Sequence, residues 1–186
     1  QTGRTGQKRE GKETLKKALV LTDYIHDFVD DDGALTVGRP AQDVRENIVR
    51  AISRLYRDDL LILTNDSHDW SQPHPEKGLF PPHALSGTRG ATTVLEAEIA
   101  GAACRVITLS KTRYSSFFDT GLNNILKEAG IEKLYLAGVC TDICVLHTAV
   151  DAYNLGFNTA VLSDCVATFN PQGHEFAVAY FKNVPG

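Results

Sequence analysis

Leu134-Tyr-Leu-Ala-Gly-Val-Cys-Thr-Asp-Ile-Cys-Val-Leu-His-Thr-Ala149 is the stretch that decides the fold. A short apolar run stops at Gly138, a polar turn follows, and a helical pattern carries on from Cys144 towards Asn154. A buried strand feeding a helix through a tight turn is half of a parallel crossover unit. The same stretch carries chemistry. A thiol in the first turn of a helix faces free backbone N–H groups and the positive end of the helix dipole, so a lowered pKa is expected for Cys144. The alternative is a small buried hydrophobe, the usual place of a lone cysteine.

Working outward, the pattern repeats. Ala18–Asp23, Leu60–Thr64, Arg105–Ser110, Leu134–Ala137 and Phe157–Ser163 are short apolar runs. Helical patterns separate or follow them, near 43–57, 93–100, 122–129, 144–154 and 172–182. Continuous apolar strands alternating with helices predict an α/β fold with a central parallel sheet covered on both faces. Right-handed crossovers make it a three-layer α/β/α Rossmann-like sandwich. Ligands in such folds bind beyond the carboxyl ends of the strands. Asp23, Asp66 with His68, Lys111, and the turn from Cys140 to Cys144 all fall at those ends. Asp23 on its own fits a turn or helix cap and Lys111 on its own fits a surface lysine. Together with Cys144 they supply a base, a cation and a nucleophile on neighbouring strands.

The chain has 186 residues, enough for one domain with a full core. Its total charge is -4. Residues 1–17 hold six basic and two acidic side chains, which is +4, leaving -8 for residues 18–186. The chain is therefore divided into a basic extension (1–17) and a domain (18–186). An acidic body argues against nucleic-acid binding. No apolar run approaches the roughly 20 residues of a membrane span, and none near the start resembles a secretory signal. Cysteines at 104, 140, 144 and 165 fit neither a disulfide framework nor a zinc knuckle, so a reduced, cytoplasmic setting is expected. The sequence contains no Met, so residue 1 is not expected to be a translation start.

Three segments carry a resemblance: Asp-Tyr-Ile-His-Asp-Phe (23–28), Ser-Lys-Thr-Arg-Tyr-Ser-Ser-Phe (110–117) and Gly-Val-Cys-Thr-Asp-Ile-Cys (138–144). In these the chain resembles the isochorismatase-like cysteine hydrolases, over roughly residues 18–184, and among them it looks like a nicotinamidase. The resemblance implies a catalytic triad of Asp23, Lys111 and Cys144. It also implies a cis peptide at Val139–Cys140, which would aim the backbone N–H groups of Cys140 and Cys144 at one point as an oxyanion hole. The implied reaction is hydrolysis of nicotinamide to nicotinate and ammonia through a thioester, with pyrazinamide as a further substrate, in NAD salvage. Relatives form dimers or tetramers, so a homo-oligomer is expected. The runner-up is another cysteine hydrolase of the same superfamily, acting on a different carboxamide or carbamoyl compound.

The loop after the second strand places three histidines and several carboxylates in under twenty residues, from Asp66 to His83. Asp66 and His68, two apart on an extended backbone, point to the same side and can share an ion. Imidazole and carboxylate donors suit Zn, Fe or Mn rather than Ca. A solvated polar loop is the plain alternative. The resemblance implies one divalent transition metal, most simply Zn, on Asp66, His68 and His83, with Glu76 preferred to His74 as the fourth ligand. Phe28, Phe80 and Tyr114 are expected to wall a flat substrate ring, with Trp70 a weaker candidate. His26 and Asp27 read as loop polar residues, His147 and His174 as structural histidines, Asp142 as a turn residue, and Cys104 and Cys165 as packing.

Overall fold

The computed structural model describes residues 15–183. The expected extension lies outside these residues except for its end, where Lys17 opens strand β1 (Lys17–Thr22). Lys17 pairs with Lys133 and donates its backbone N–H to Asp59 at 3.1 Å, so the domain begins at least one residue earlier than its charge pattern suggests.

Strands β1, β2 (Leu60–Asp66), β3 (Arg105–Lys111), β4 (Lys133–Val139) and β5 (Thr159–Ala167) form one parallel sheet in the order β3-β2-β1-β4-β5. The order reverses between β1 and β4, and that switch point opens a crevice at the carboxyl edge. Alternate side chains serve opposite layers. Leu19, Leu21, Leu61 and Leu63 face a layer built by α1 (His26–Val29), α2 (Arg39–Asp43), α3 (Arg45–Ile52) and α4 (Glu96–Ala100). Ala18, Val20, Leu60 and Ile62 face α5 (Leu122–Glu128), α6 (Leu146–Asn154) and α7 (Pro171–Asn183). The three-layer α/β/α sandwich expected from the alternation is the observed fold.

Local boundaries differ. The helix expected over 43–57 starts earlier and stops sooner: α2 opens at Arg39 with Pro40 in its first turn, a turn residue at Val44 (φ -85°, ψ -5°) separates it from α3, and α3 ends at Ile52. Strand β5 extends to Ala167 because an irregular stretch inserts three residues: Leu136 pairs with Val161, but Gly138 pairs with Val166. A parallel partner can absorb such a bulge at a sheet edge. Gly138 has no alternative. Its φ is +115°, and a Cβ there would lie 1.9 Å from the Thr22 carbonyl oxygen. Only glycine lets β4 pass so close to β1 where the turn towards Cys144 begins.

Candidate active site

Asp23 follows β1 with a left-handed backbone (φ 54°), held by its own N–H to the Thr64 carbonyl at 2.9 Å. A non-glycine residue in this region is uncommon and tends to mark a site where the surroundings dictate geometry. Its carboxylate is fully buried, and Oδ1 accepts the backbone N–H of Asp66 at 2.7 Å. Oδ2 lies 2.7 Å from Lys111 Nζ, off the direction of a hydrogen bond, so the two are in ion-pair contact while a lone pair of Oδ2 stays unclaimed.

Lys111, the last residue of β3, is 1 % exposed. Its ammonium also reaches Asp66 Oδ1 at 2.6 Å, the Arg113 carbonyl at 3.0 Å and Cys144 Sγ at 3.7 Å. Two carboxylates outweigh the effect of burial on this amine and hold its pKa well above the ordinary lysine value. They share the cation unequally. Burial and the neighbouring Asp66 charge push Asp23 up to about 7. Burial works against ionisation of Asp66 too, but Lys111 and His68 outweigh it and hold that carboxyl below the usual range. The two carboxyls share one cation and titrate as a pair, with Asp23 held up and Asp66 held down.

Cys144 corrects an expectation. It sits inside a five-residue π turn, Thr141–Val145, rather than in the first turn of α6. Cys140 O closes this turn by accepting the N–H of Val145 at 3.1 Å. The thiol is 6 % exposed, and burial pushes its pKa well above the ordinary value, with Lys111 pulling the other way and Asp23 and Asp66 adding to the rise. A helix terminus lowers a pKa only where its N–H groups reach the sulfur without competing desolvation. The resting group is therefore a thiol that needs a base. Asp23, Asp66 and Cys144 present side-chain atoms within 4.8 Å of one another. The peptide Val139–Cys140 is cis. All four cysteines are free, and burial raises Cys140 to about 12.

The loop after β2 brings its donors together beside this cluster. Asp66, His68 and His83 form one group with donor atoms within 4.8 Å, and His68, His74 and Glu76 form another. His68 is buried with both ring nitrogens lacking a hydrogen-bond partner. Orphaned nitrogens of that kind call for an ion or water. His83 Nδ1 donates to the Pro81 carbonyl at 2.8 Å, which leaves Nε2 with a lone pair, 3.3 Å from Glu76 Oε2. His74 Nδ1 accepts the Glu76 N–H at 3.2 Å, while its buried Nε2, like the nitrogens of His68, has no partner, so His74 competes with Glu76 for an ion. The residues fit a divalent ion with oxygen and nitrogen donors.

Phe28, Phe80 and Tyr114 line one cleft with Asp66, Glu76, His83, Cys140 and Cys144. Leu35, Ile143 and Phe169 complete its walls and escaped sequence reasoning, since nothing in their local pattern separates them from loop or helix apolar residues. Trp70 packs against His68, His74 and His83 at ring distances of 6.0, 5.3 and 5.5 Å. Asp27 is more than a loop polar residue. Its Oδ2 accepts the Ala84 N–H at 2.7 Å, and the Ala84 carbonyl accepts the N–H of His68 at 2.9 Å. One carboxylate thus fixes the backbone between two of the histidines. Asp142 reaches beyond its turn, with Oδ2 3.5 Å from the Asn170 amide ahead of α7. His147 and His174 are structural, bonding Ile143 O and Thr141 Oγ1.

Fold and site together define a three-layer α/β/α domain with a buried thiol in the turn that follows β4. Residues 17–185 match the isochorismatase domain, and the chain belongs to the isochorismatase family of hydrolases. An isochorismatase family protein of Bacillus subtilis, PncA, is 46% identical over 184 residues, covering 92% of this chain and 97% of the relative. A crystal structure of nicotinamidase/pyrazinamidase PncA from Bacillus subtilis superposes with a TM-score of 0.81 at 43% identity, over 92% of this chain and 97% of that one. The pyrazinamidase/nicotinamidase of Streptococcus mutans gives 0.83 at 39% identity, over 92% and 98%. A pyrazinamidase of Pyrococcus horikoshii, solved in complex with zinc, gives 0.74 at 28% identity, over 90% and 94%.

Proposed function

We propose that this protein is a metal-dependent nicotinamidase that also accepts pyrazinamide, with Asp23, Lys111 and Cys144 as its catalytic residues. The observation that carries the reading is the position of Lys111 Nζ, 2.7 Å from Asp23, 2.6 Å from Asp66 and 3.7 Å from Cys144. One buried cation there links the base, the nucleophile and a carboxylate of the metal-donor group. The full-length likeness to nicotinamidase structures supports the same substrate.

Asp23, with a pKa of about 7, takes the Cys144 proton on Oδ2. The thiolate forms against the Lys111 ammonium, which offsets its charge. Sγ attacks the carboxamide carbon, and the backbone N–H groups of Cys140 and Cys144 receive the developing oxyanion. The C–N bond breaks as Asp23 returns its proton to the departing nitrogen, leaving ammonia and a thioester. Asp23 then deprotonates water, which attacks the thioester and restores the thiol. Phe28, Phe80 and Tyr114 hold the ring in place.

Asp66, His68, His83 and Glu76 would hold the ion. Zinc agrees with the donor set and with the zinc-bound relative. When bound, such an ion offers coordination positions to a pyridine nitrogen and water. The test is ammonia release from nicotinamide by wild type and Cys144→Ala, with metal content measured on the same samples. Activity lost in Cys144→Ala with metal retained supports the reading. A folded, metal-loaded wild type that releases no ammonia refutes the substrate.

A further inference from the structure

Beneath the candidate active site lies a feature that the proposed chemistry does not use. Thr22, Thr64, Ser116 and Thr148 are each 0 % exposed, and their hydroxyls meet. Ser116 N donates to Thr148 Oγ1 at 2.9 Å, and Thr148 Oγ1 donates back to Ser116 Oγ at 3.1 Å. Ser116 Oγ lies 2.7 Å from Thr64 Oγ1 and 3.4 Å from Thr22 Oγ1, and Thr64 Oγ1 donates to Thr22 Oγ1 at 3.5 Å. One donor order pairs every hydroxyl: Ser116 N to Thr148, Thr148 to Ser116 Oγ, Ser116 to Thr64, Thr64 to Thr22, and Thr22 back to Ser116 Oγ.

Burying four hydroxyls, two on β1 and β2, one in the loop after β3 and one on α6, beside an apolar layer is costly unless every donor is paired. Apolar residues would fill the same layer more simply, so stability alone is a poor reason for the cluster. Its placement suggests another. Thr22 immediately precedes Asp23. Thr64 stands two residues before Asp66, and its carbonyl holds the Asp23 N–H. Ser116 belongs to the segment leaving Lys111, whose Arg113 carbonyl accepts from Lys111 Nζ. Thr148 lies one helical turn beyond Cys144 on the same run of backbone. Each hydroxyl therefore sits on the backbone that carries one member of the site. Hydrogen bonds have directional minima that apolar contacts lack, so the cluster fixes four separate segments relative to one another.

We propose that Thr148 and Ser116, with Thr22 and Thr64, are positioning residues that hold Cys144 in register with Asp23 and Lys111. The proposal rests on the assignment of Cys144 as nucleophile but not on the identity of its substrate. Thr148→Val keeps the shape and removes the acceptor of the Ser116 N–H, while Thr148→Ser keeps the hydroxyl. Two readouts separate positioning from folding: the rate of Cys144 alkylation by iodoacetamide at fixed pH, and the kcat and KM for nicotinamide. Leu126→Ala, in the same apolar layer but outside the cluster, serves as a control for lost stability.

The expected result for Thr148→Val is a fall of at least tenfold in kcat with KM within about threefold of wild type. The alkylation rate changes by at least threefold, and Thr148→Ser restores both. Leu126→Ala should lower the melting temperature while leaving both readouts near wild type. If Thr148→Val lowers the melting temperature only, with kcat and alkylation per folded molecule unchanged, the positioning role is refuted. If Thr148→Val fails to fold, Ser116→Ala is read by the same two measurements and the same criteria. Should wild type fail to hydrolyse nicotinamide, the substrate assignment falls, and the alkylation series still decides the positioning role.

Discussion

Asp23 shows how one side chain acquires a role from its neighbours. A carboxyl left in water titrates near 4. Here burial and the adjacent Asp66 lift it to about 7 while Lys111 limits the rise. Replacing it with Asn keeps the size and removes the base, so Asp23→Asn should lower kcat by about 10²–10⁴-fold, measured as ammonia release at saturating nicotinamide. A second residue-scale prediction concerns the fourth metal ligand. Glu76 is the proposed fourth ligand, its Oε2 lying 3.3 Å from His83 Nε2, and His74, with an unpartnered Nε2, is its competitor. Glu76→Ala should weaken zinc binding by more than about 100-fold, beyond the range for losing a partner that merely orients a ligand. His74→Ala should leave affinity within about tenfold. Competition with a chromophoric chelator measures both, and the reverse order would make His74 the ligand. The convergence of Asp23, Lys111 and Cys144 with Asp66, His68 and His83 was legible in the sequence because strand ends and Asp-x-His spacing mark them. The raised pKa of Cys144 was not, since desolvation depends on what surrounds the sulfur in three dimensions.

At the scale of elements, the turn that carries Cys144 is held from two sides by close approach. A Cβ at Gly138 would meet the Thr22 carbonyl at 1.9 Å, and φ is already +115°. Gly138→Ala forces β4 and β1 apart and should cost about 3 kcal/mol or more, read as a lower denaturant midpoint. Gly173 opens α7 against Asp142, with a Cβ there 1.9 Å from Oδ2. A carboxylate at a helix start is favoured by the dipole, and here it ties the turn to α7. Gly173→Ala meets a side chain rather than backbone, so the turn shifts while the sheet stays. The expected outcome is a kcat reduced by about 10–100-fold, with a melting temperature close to wild type. The existence of most elements was readable from apolar periodicity. The break at Val44 and the inserted residues of β5 were not, because pairing partners and packing set such local irregularities.

Across the whole molecule, the sheet order β3-β2-β1-β4-β5 brings four separate strand ends to one crevice. Among the described residues no helix is long and apolar enough to cross a membrane. The proposed metal donors run from Asp66, the last residue of β2, to His83 in the loop after it, and only the folded loop gathers them, so an ion bound there favours the native state. Binding linked to folding in this way adds about 2.7 kcal/mol when free metal is 100 times Kd. For a domain of this size, chelation should lower the melting temperature by roughly 5–10 °C. Cys144→Ala should show the same shift, because the sulfur is not among the proposed ligands. Thermal unfolding with and without chelator checks both, and an unchanged melting temperature on full removal of metal would contradict an ion held by the native site.

The sequence by itself determined the layer architecture, the strand ends and the residue types gathered there. Those follow from local periodicity and from reactive groups placed where strands stop. Only the tertiary structure decided which wall residues face the thiol, namely Leu35, Ile143 and Phe169. It alone showed that Asp27 fixes the histidine loop and that four hydroxyls underlie the site. It also turned the expected low thiol pKa into a high one. These properties arise between residues tens of positions apart, where burial and contact depend on how crossovers stack the layers, and no local pattern encodes that distance.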